Sequence, residues 1–92
     1  SYLSYIETNP KTKVKFWQKG DSILIAFKTN NNKTRVLVRE AYFPGWFAYE
    51  KSEKINVQKD ENGLSVLTFI SALQPSMQNV VEQVEITLWQ GC

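Results

Sequence analysis

Histidine is absent from this chain, and cysteine occurs once, at position 92. The lack of histidine excludes the commonest general base, the commonest metal ligand, and the Ser-His and Cys-His nucleophile pairs. A single cysteine excludes an internal disulfide and a zinc site built from several thiolates, and it leaves the role of Cys92 open. We therefore expect no catalytic residue, no metal site and no cofactor in this chain.

Charge of one sign and long apolar runs are also scarce. Eleven Lys and Arg against nine Asp and Glu give a formal net charge of +2, too small an excess to favour nucleic acid or an anionic membrane unless it is clustered. No stretch approaches the ~18 apolar residues of a membrane span, and the first residues lack the pattern of a signal peptide. Because the chain begins with Ser1, we expect a mature protein or a piece of a longer one.

The chain does contain enough apolar and aromatic residues for one small domain. Its 92 residues are 42% apolar and 13% aromatic, and a second domain would leave each half too short to build a core. β-rich runs recur every eight to twelve residues or so, without a competing helical period. We predict an all-β, antiparallel, immunoglobulin-like β-sandwich of about seven strands. Residues 13–90 should form this single domain, after a polar leader or edge segment at residues 1–12.

Turn residues separate the predicted strands. The segment 19–21 predicts a tight turn, the three asparagines at 30–32 a hairpin, 51–54 an exposed hairpin tip, and 60–63 a turn that ends in glycine. The strand 22–28 is apolar on both faces, so we expect it to be central and covered on both sides. Residues 71–79 could hold one short helical turn, which Pro75 keeps brief.

One segment combines aromatic residues with a Pro-Gly break. Five aromatic residues fall within positions 42–49, around Pro44 and Gly45. Pro44 removes a ladder donor and Gly45 permits a bend, so the strand before them should turn or bulge. Two interpretations of the aromatic rings stay open. They fill a thin core at a strand corner, or they form a stacking platform for sugar rings or bases.

The sequence order Tyr42-Phe43-Pro44-Gly45-Trp46 is a structural motif that resembles part of a known family. Together with the segments 36–38, 64–66 and 84–88, it is similar to the extracytoplasmic C-terminal domain of large polytopic bacterial and archaeal membrane proteins of glycosyltransferase-like type. The resemblance implies a non-catalytic accessory domain on the extracytoplasmic face of a cell membrane. Its partner would be the membrane-embedded part of the same polypeptide, and its task glycan contact, partner contact or assembly.

A free-standing extracellular carbohydrate-binding module is the alternative function. Its ligand-binding platform would consist of Trp46 and Tyr49 with Trp17 and Trp89, since the last two fall on the predicted outward side of their strands. The segment Asn32-Lys33-Thr34 is also an N-glycosylation sequon, usable only outside the cytoplasm of a glycosylating cell, although turn chemistry alone explains its asparagine.

The charged residues predict no further partner. Glu40 lies beside Arg39 in an apolar strand, which is consistent with a partly buried carboxylate or with one local ion pair. The lysines at 11, 13 and 15 share one side of a strand, as expected of a solvated face or a protected sheet edge. We therefore do not expect nucleic acid as a partner.

Overall fold

A computed structural model describes residues 5–72 and 80–91, and within these ranges the chain forms nine β-strands and no helix. None of the described residues belongs to a helix long and apolar enough to cross a membrane. The strands, in chain order, are β1 (Ile6–Asn9), β2 (Val14–Lys19), β3 (Ser22–Thr29), β4 (Lys33–Ala41), β5 (Trp46–Glu50), β6 (Glu53–Ile55), β7 (Gln58–Lys59), β8 (Leu64–Ile70) and β9 (Glu82–Gln90).

The strands form two antiparallel sheets. One has the order β1-β4-β8-β7 and the other the order β2-β3-β9-β5-β6. The all-β, antiparallel prediction is thus confirmed, with nine strands in place of about seven. One additional strand is β1, which lies within the predicted leader and pairs with the edge of β4. The other arises because the sequence predicts one strand around residues 55–57, whereas the chain forms two short strands there, β6 before Asn56 and β7 after Val57, in different sheets.

The two sheets pack face to face around one apolar core. Alternate residues of each strand point inward, as the period of two requires, and the buried side chains of both sheets form a single cluster. Phe27 of the five-stranded sheet meets Phe69 of the four-stranded sheet edge to face, with ring centroids 6.1 Å apart. The central pair β3 and β9 contributes six of the buried residues: Ile23, Ile25, Phe27, Val84, Ile86 and Leu88.

The loop at residues 30–32 is not a hairpin, which corrects the prediction. It leads from β3 in one sheet to β4 in the other. Asparagine tolerates turn conformations, but it does not determine whether the next strand pairs with the previous one or crosses the core. Two buried hydroxyls flank this crossing, because Thr29 and Thr34 share a hydrogen bond of 3.0 Å between the sheets. Of residues 71–79, where a short helical turn is predicted, residues 73–79 lie outside the described residues.

The ring of Trp46 belongs to the core. Its side chain is 5% exposed, and its indole Nε1 donates a hydrogen bond of 3.0 Å to the carbonyl oxygen of Ala41. The ring of Phe43 packs against it, with centroids 5.3 Å apart. Of the two interpretations of the aromatic segment, the core interpretation holds for Trp46, which therefore cannot serve as part of an exposed platform. A buried indole needs a partner for its N–H, and the backbone at the end of β4 provides one.

Candidate ligand-binding face

The outward side of the five-stranded sheet is the surface that carries the remaining predicted aromatic residues. Since Ile23, Ile25 and Phe27 of β3 are buried, the alternate residues of β3 and their register partners point away from the core. We call this surface the outer face. Its members, none of them buried, are Lys15, Trp17, Lys19, Ser22, Leu24, Ala26, Lys28, Phe47, Tyr49, Lys54, Gln83, Glu85, Thr87 and Trp89.

Strand β3 is central, as predicted, but it is covered on one side only. Leu24 and Ala26 on the outer face are half-buried, in contrast to the buried residues on the inward side. Within the described part of the chain, no other strand lies over them. The residues of β3 are therefore apolar on both sides because the outer face is itself partly apolar.

Three aromatic rings form a cluster at one end of the outer face. Phe47 and Trp89 are register partners, and their rings are nearly parallel, with planes 13° apart and centroids separated by 6.4 Å. Tyr49 meets Phe47 edge to face, with centroids 5.8 Å apart. Trp89 is 41% exposed and Tyr49 is 38% exposed. We call Phe47, Tyr49 and Trp89 the aromatic cluster.

Trp17 lies on the same face, at the opposite edge of the sheet. A row of directly opposite residues on neighbouring strands runs from Trp17 through Leu24 and Thr87 to Tyr49. This row crosses three interstrand spacings, or about 14 Å. Trp17 is 52% exposed. The outer face thus brings together three of the four predicted platform residues and excludes Trp46.

Sequence reasoning did not include Phe47 among the platform residues. The signal was present, because Phe47 is two residues before Tyr49 and so has the same parity on a strand. What the alternation could not show is that Trp89, forty-two positions away from Phe47, is its direct neighbour across the sheet.

A shallow groove of about 360 Å³ adjoins the aromatic cluster on the outer face. Its lining combines the ring of Tyr49 with polar side chains from β9 and from the β5–β6 turn. Carboxylate, amide and hydroxyl groups beside an aromatic face are the combination that a sugar needs, since its hydroxyls require hydrogen bonds and its C–H faces require apolar contact. The lining residues are Leu24, Tyr49, Glu50, Lys51, Gln83, Glu85 and Thr87.

Glu40 has a structural partner away from the outer face. The register of β4 against β8 shifts between Val38 and Ala41, so Glu40 lies in an irregular stretch of the strand. The hydroxyl of Tyr5 donates a hydrogen bond of 2.7 Å to its Oε2. The neighbouring Arg39 forms an ion pair of 2.9 Å with Glu7. Glu40 is thus half-buried and hydrogen-bonded, and the local ion pair belongs to Arg39.

The environment of Tyr5 predicts a pH effect at the alkaline end. Burial, together with the hydrogen bond to Glu40 and its negative charge, raises the pKa of the Tyr5 hydroxyl well above its usual value. A raised folded-state pKa gives a contribution to stability that is complete below the unfolded-state value, about 10 for tyrosine, and is lost as the pH rises beyond it. We expect the free energy of unfolding to fall more steeply above about pH 10 in the wild type than in Tyr5→Phe.

Urea unfolding measured at intervals between pH 8 and pH 11.5 would show this difference. Tyr49→Phe is the matched control, because Tyr49 is exposed on the outer face and its substitution should leave the alkaline loss unchanged. An identical alkaline loss in Tyr5→Phe and the wild type would contradict the assignment.

The sequon at Asn32 is divided between surface and core. Asn32 is exposed, and its carbonyl oxygen accepts a hydrogen bond of 2.8 Å from the backbone N–H of Ser71. Thr34, the third residue of the sequon, is fully buried and bonded to Thr29. Glycosylation of Asn32 stays a prediction, and the buried hydroxyl means that a modifying enzyme would have to act before this corner has folded.

Within residues 5–72 and 80–91, no group of three His, Cys, Asp or Glu side chains is placed to hold a metal ion. Comparison with known proteins gave no match to a family model, to a curated protein or to a solved structure.

Proposed function

We propose that this chain is a non-catalytic accessory module that contacts a glycan through the outer face of its five-stranded sheet. The observation that carries the proposal is the aromatic cluster, whose Trp89 and Tyr49 rings are both about two-fifths exposed beside a polar groove. Isolated exposed apolar residues are common on proteins, but a contiguous group of them marks a binding surface. The polar groove beside the rings favours sugars over a purely apolar partner.

Preorganisation supports the same function. The rings of Phe47 and Trp89 lie nearly parallel on paired strands, and Tyr49 is held edge to face against Phe47. Each ring therefore loses little side-chain freedom when a ligand binds, which reduces the entropic cost of binding. A site built on neighbouring strands also keeps its geometry better than one built on loops.

Within this proposal, the module belongs to a larger membrane protein of glycosyltransferase-like type and lies on the extracytoplasmic face. The membership of a larger membrane protein rests on the resemblance of the segment 42–46. The burial of Trp46 gives this segment a structural role at the corner between β4 and β5. The sequence that flanks residues 1–92 in the complete gene tests whether the module belongs to a membrane protein. Several apolar spans next to the module are expected, and a flanking region without them would leave the free-standing carbohydrate-binding module as the function.

The proposal extends to the fold class, which we infer to be immunoglobulin-like. The two sheets have the same strand numbers as a variable-type immunoglobulin domain, four and five, although the order of the strands within each sheet is different. Glycan contact by the outward side of one sheet would then leave the loops at both ends of the sandwich available for the parent protein.

Trp89→Ala and Tyr49→Ala test the glycan site directly. Each substitution removes one ring from the aromatic cluster, and we expect each to weaken glycan binding by about 10-fold, corresponding to ~1.4 kcal/mol of stacking and apolar contact. The measurement is titration of the purified domain with a panel of neutral and acidic hexasaccharides, followed by calorimetry and by tryptophan fluorescence.

Ile70→Ala is the matched control for these variants. Ile70 is 66% exposed but belongs to β8 of the four-stranded sheet, so its substitution removes exposed apolar area without touching the outer face. Affinity should be unchanged in this variant. Equal losses in all three variants, or no binding to any saccharide by the wild type, would refute the proposed glycan site.

Glycoside hydrolysis is a competing function, because two carboxylates, those of Glu50 and Glu85, line the groove. Glu50 is half-buried and Glu85 is exposed, so only Glu50 approaches the partly desolvated environment of a glycosidase general acid. We expect no turnover when a bound oligosaccharide is incubated with the domain and its reducing ends are counted. Turnover that disappears in Glu85→Gln would assign catalysis to the groove.

A further inference from the structure

The charge of the outer face is strongly one-sided. Four lysines among its members oppose one carboxylate, that of Glu85, and the groove adds Glu50 and Lys51, whose charges cancel, so the balance is +3. The whole chain carries only +2, so the rest of the molecule is net negative. The lysines of the outer face are Lys15, Lys19, Lys28 and Lys54.

Three of these lysines flank the aromatic residues, and Lys28 lies farther along β3, opposite Gln83. On β2, Lys15 and Lys19 lie two residues before and two residues after Trp17, and so on the same side of the strand. At the opposite edge, Lys54 of β6 is the register partner of Tyr49. All of the four lysines are exposed. Within the described ranges, none of them pairs with a carboxylate, since the ion pair found there joins Arg39 and Glu7.

Protection of sheet edges accounts for only part of this pattern. Lysine on an edge strand discourages the addition of another strand, which is sufficient for β2 and β6, the two edges of the sheet. Lys28 lies on β3 one residue beyond the last pair that β3 forms with β2, Phe27 with Val14, so β3 pairs there with β9 alone. Edge protection does not require, however, that the charges of the other three lysines flank exposed aromatic rings.

We propose that the glycan bound by the outer face is an acidic one, whose sugar rings stack on the aromatic residues while their carboxylates lie near the flanking lysines. This inference rests on the proposed glycan-binding function and specifies its ligand. Unpaired lysines beside aromatic rings offer a positive potential at the positions where the acid groups of a uronic-acid chain would extend from stacked rings. A lysine ammonium is a compact charge on a flexible stem, which suits carboxylates whose spacing varies along a chain.

Single-stranded nucleic acid is a different polyanion that combines stacking with charge. The outer face favours it less, because both arginines of the chain, Arg35 and Arg39, belong to β4 of the four-stranded sheet. Arginine is the residue that binds phosphate in a bidentate manner and stacks on bases. An oligouridylate is therefore included in the test below as the competing ligand.

The test compares uronic-acid oligosaccharides with their own methyl esters. Hexamers of galacturonate, mannuronate and glucuronate keep the same rings in both forms, and only the charge differs. We expect at least one acid form to bind about 5-fold to 10-fold more tightly than its ester at 20 mM salt, and this advantage to fall below about 2-fold at 300 mM salt because exposed charges are screened.

Lys15→Gln/Lys19→Gln removes two charges from the outer face, and Lys33→Gln/Lys59→Gln removes two exposed charges from strands of the other sheet as a matched control. The first pair should weaken binding of the acid form by about 3-fold to 10-fold and leave the ester unaffected, while the control pair should change neither. The folded state of each variant is checked by its thermal unfolding.

The outcomes separate this inference from the proposed function. If esters and acids bind equally at both salt concentrations, the acidic ligand is refuted while glycan binding stands. If both lysine pairs weaken binding equally, or if oligouridylate binds more tightly than every uronate, the acidic-glycan site is overturned. If no saccharide binds in either form, the proposed function itself fails.

Discussion

Trp46→Ala is expected to lower the free energy of unfolding by ~3–5 kcal/mol, the range for removing a large aromatic side chain from a core. The indole is 5% exposed and belongs to the buried cluster of both sheets. Its loss leaves a cavity at the corner between β4 and β5, and it leaves the carbonyl oxygen of Ala41 without its 3.0 Å partner. A small domain has a total stability of about 5–15 kcal/mol, so this one substitution removes a large part of it.

Urea or thermal unfolding of the purified domain measures this effect. Trp89→Ala is the control, since it removes the same side chain from an exposed position and should cost far less, within about 1 kcal/mol. Trp46→Phe fills most of the cavity but cannot donate to Ala41, so it should fall between the two. If Trp46→Ala and Trp89→Ala were equally stable, the corner would not depend on the buried indole.

Gly45→Ala is the second substitution with a large expected effect, ~2–4 kcal/mol of destabilisation. Gly45 and Gly91 pass each other closely, and the N–H of Gly91 donates a hydrogen bond of 2.8 Å to the carbonyl oxygen of Gly45. A Cβ on Gly45 would collide with the backbone oxygen of Gly91 and would approach Cε2 of Phe43 to 2.6 Å. Backbone cannot move aside as a flexible side chain can, so the two segments would have to separate.

Gly20→Ala gives the comparison that isolates this close approach. Gly20 has a positive φ of 58° in the β2–β3 turn, and a Cβ there meets nothing within 4 Å. Its substitution should cost only the left-handed backbone penalty, about 1–2 kcal/mol. Gly91→Ala should destabilise the domain about as much as Gly45→Ala, because a Cβ on Gly91 would collide with the backbone oxygen of Gly45. A smaller loss of stability in Gly45→Ala than in Gly20→Ala would contradict this account.

The sequence predicts the fold where local alternation decides the structure. The inward residues of β3 and β9 follow a period of two, and the core contains them as expected. For the segment that contains β1, the sequence predicts only a polar leader or an edge segment, because Ile6 is the one apolar residue among the four residues of β1. The crossing at 30–32 could not be predicted either, because the sheet that a strand joins depends on contacts with residues distant in sequence.

The candidate site was predictable in part for the same reason. Parity placed Trp17 and Trp89 on the outward side of their strands, but it could not show that both belong to one sheet. It also left open whether Trp46 faces the core or the solvent, because the Pro44-Gly45 break interrupts the alternation that would decide it. The order β2-β3-β9 places Trp17 and Trp89 in one sheet. The pairing of β5 with β9 aligns Phe47 with Trp89 on the outer face, so the adjacent Trp46 faces the core.

The position of β9 makes this strand a condition for binding. This last strand lies between β3 and β5, and it provides Trp89 to the aromatic cluster as well as Gln83, Glu85 and Thr87 to the groove. Without it, the hairpins β2–β3 and β5–β6 would have no common neighbour, and their outward side chains would not form one surface. Ligand binding should therefore report that synthesis has passed residue 90 and that the sheet has closed.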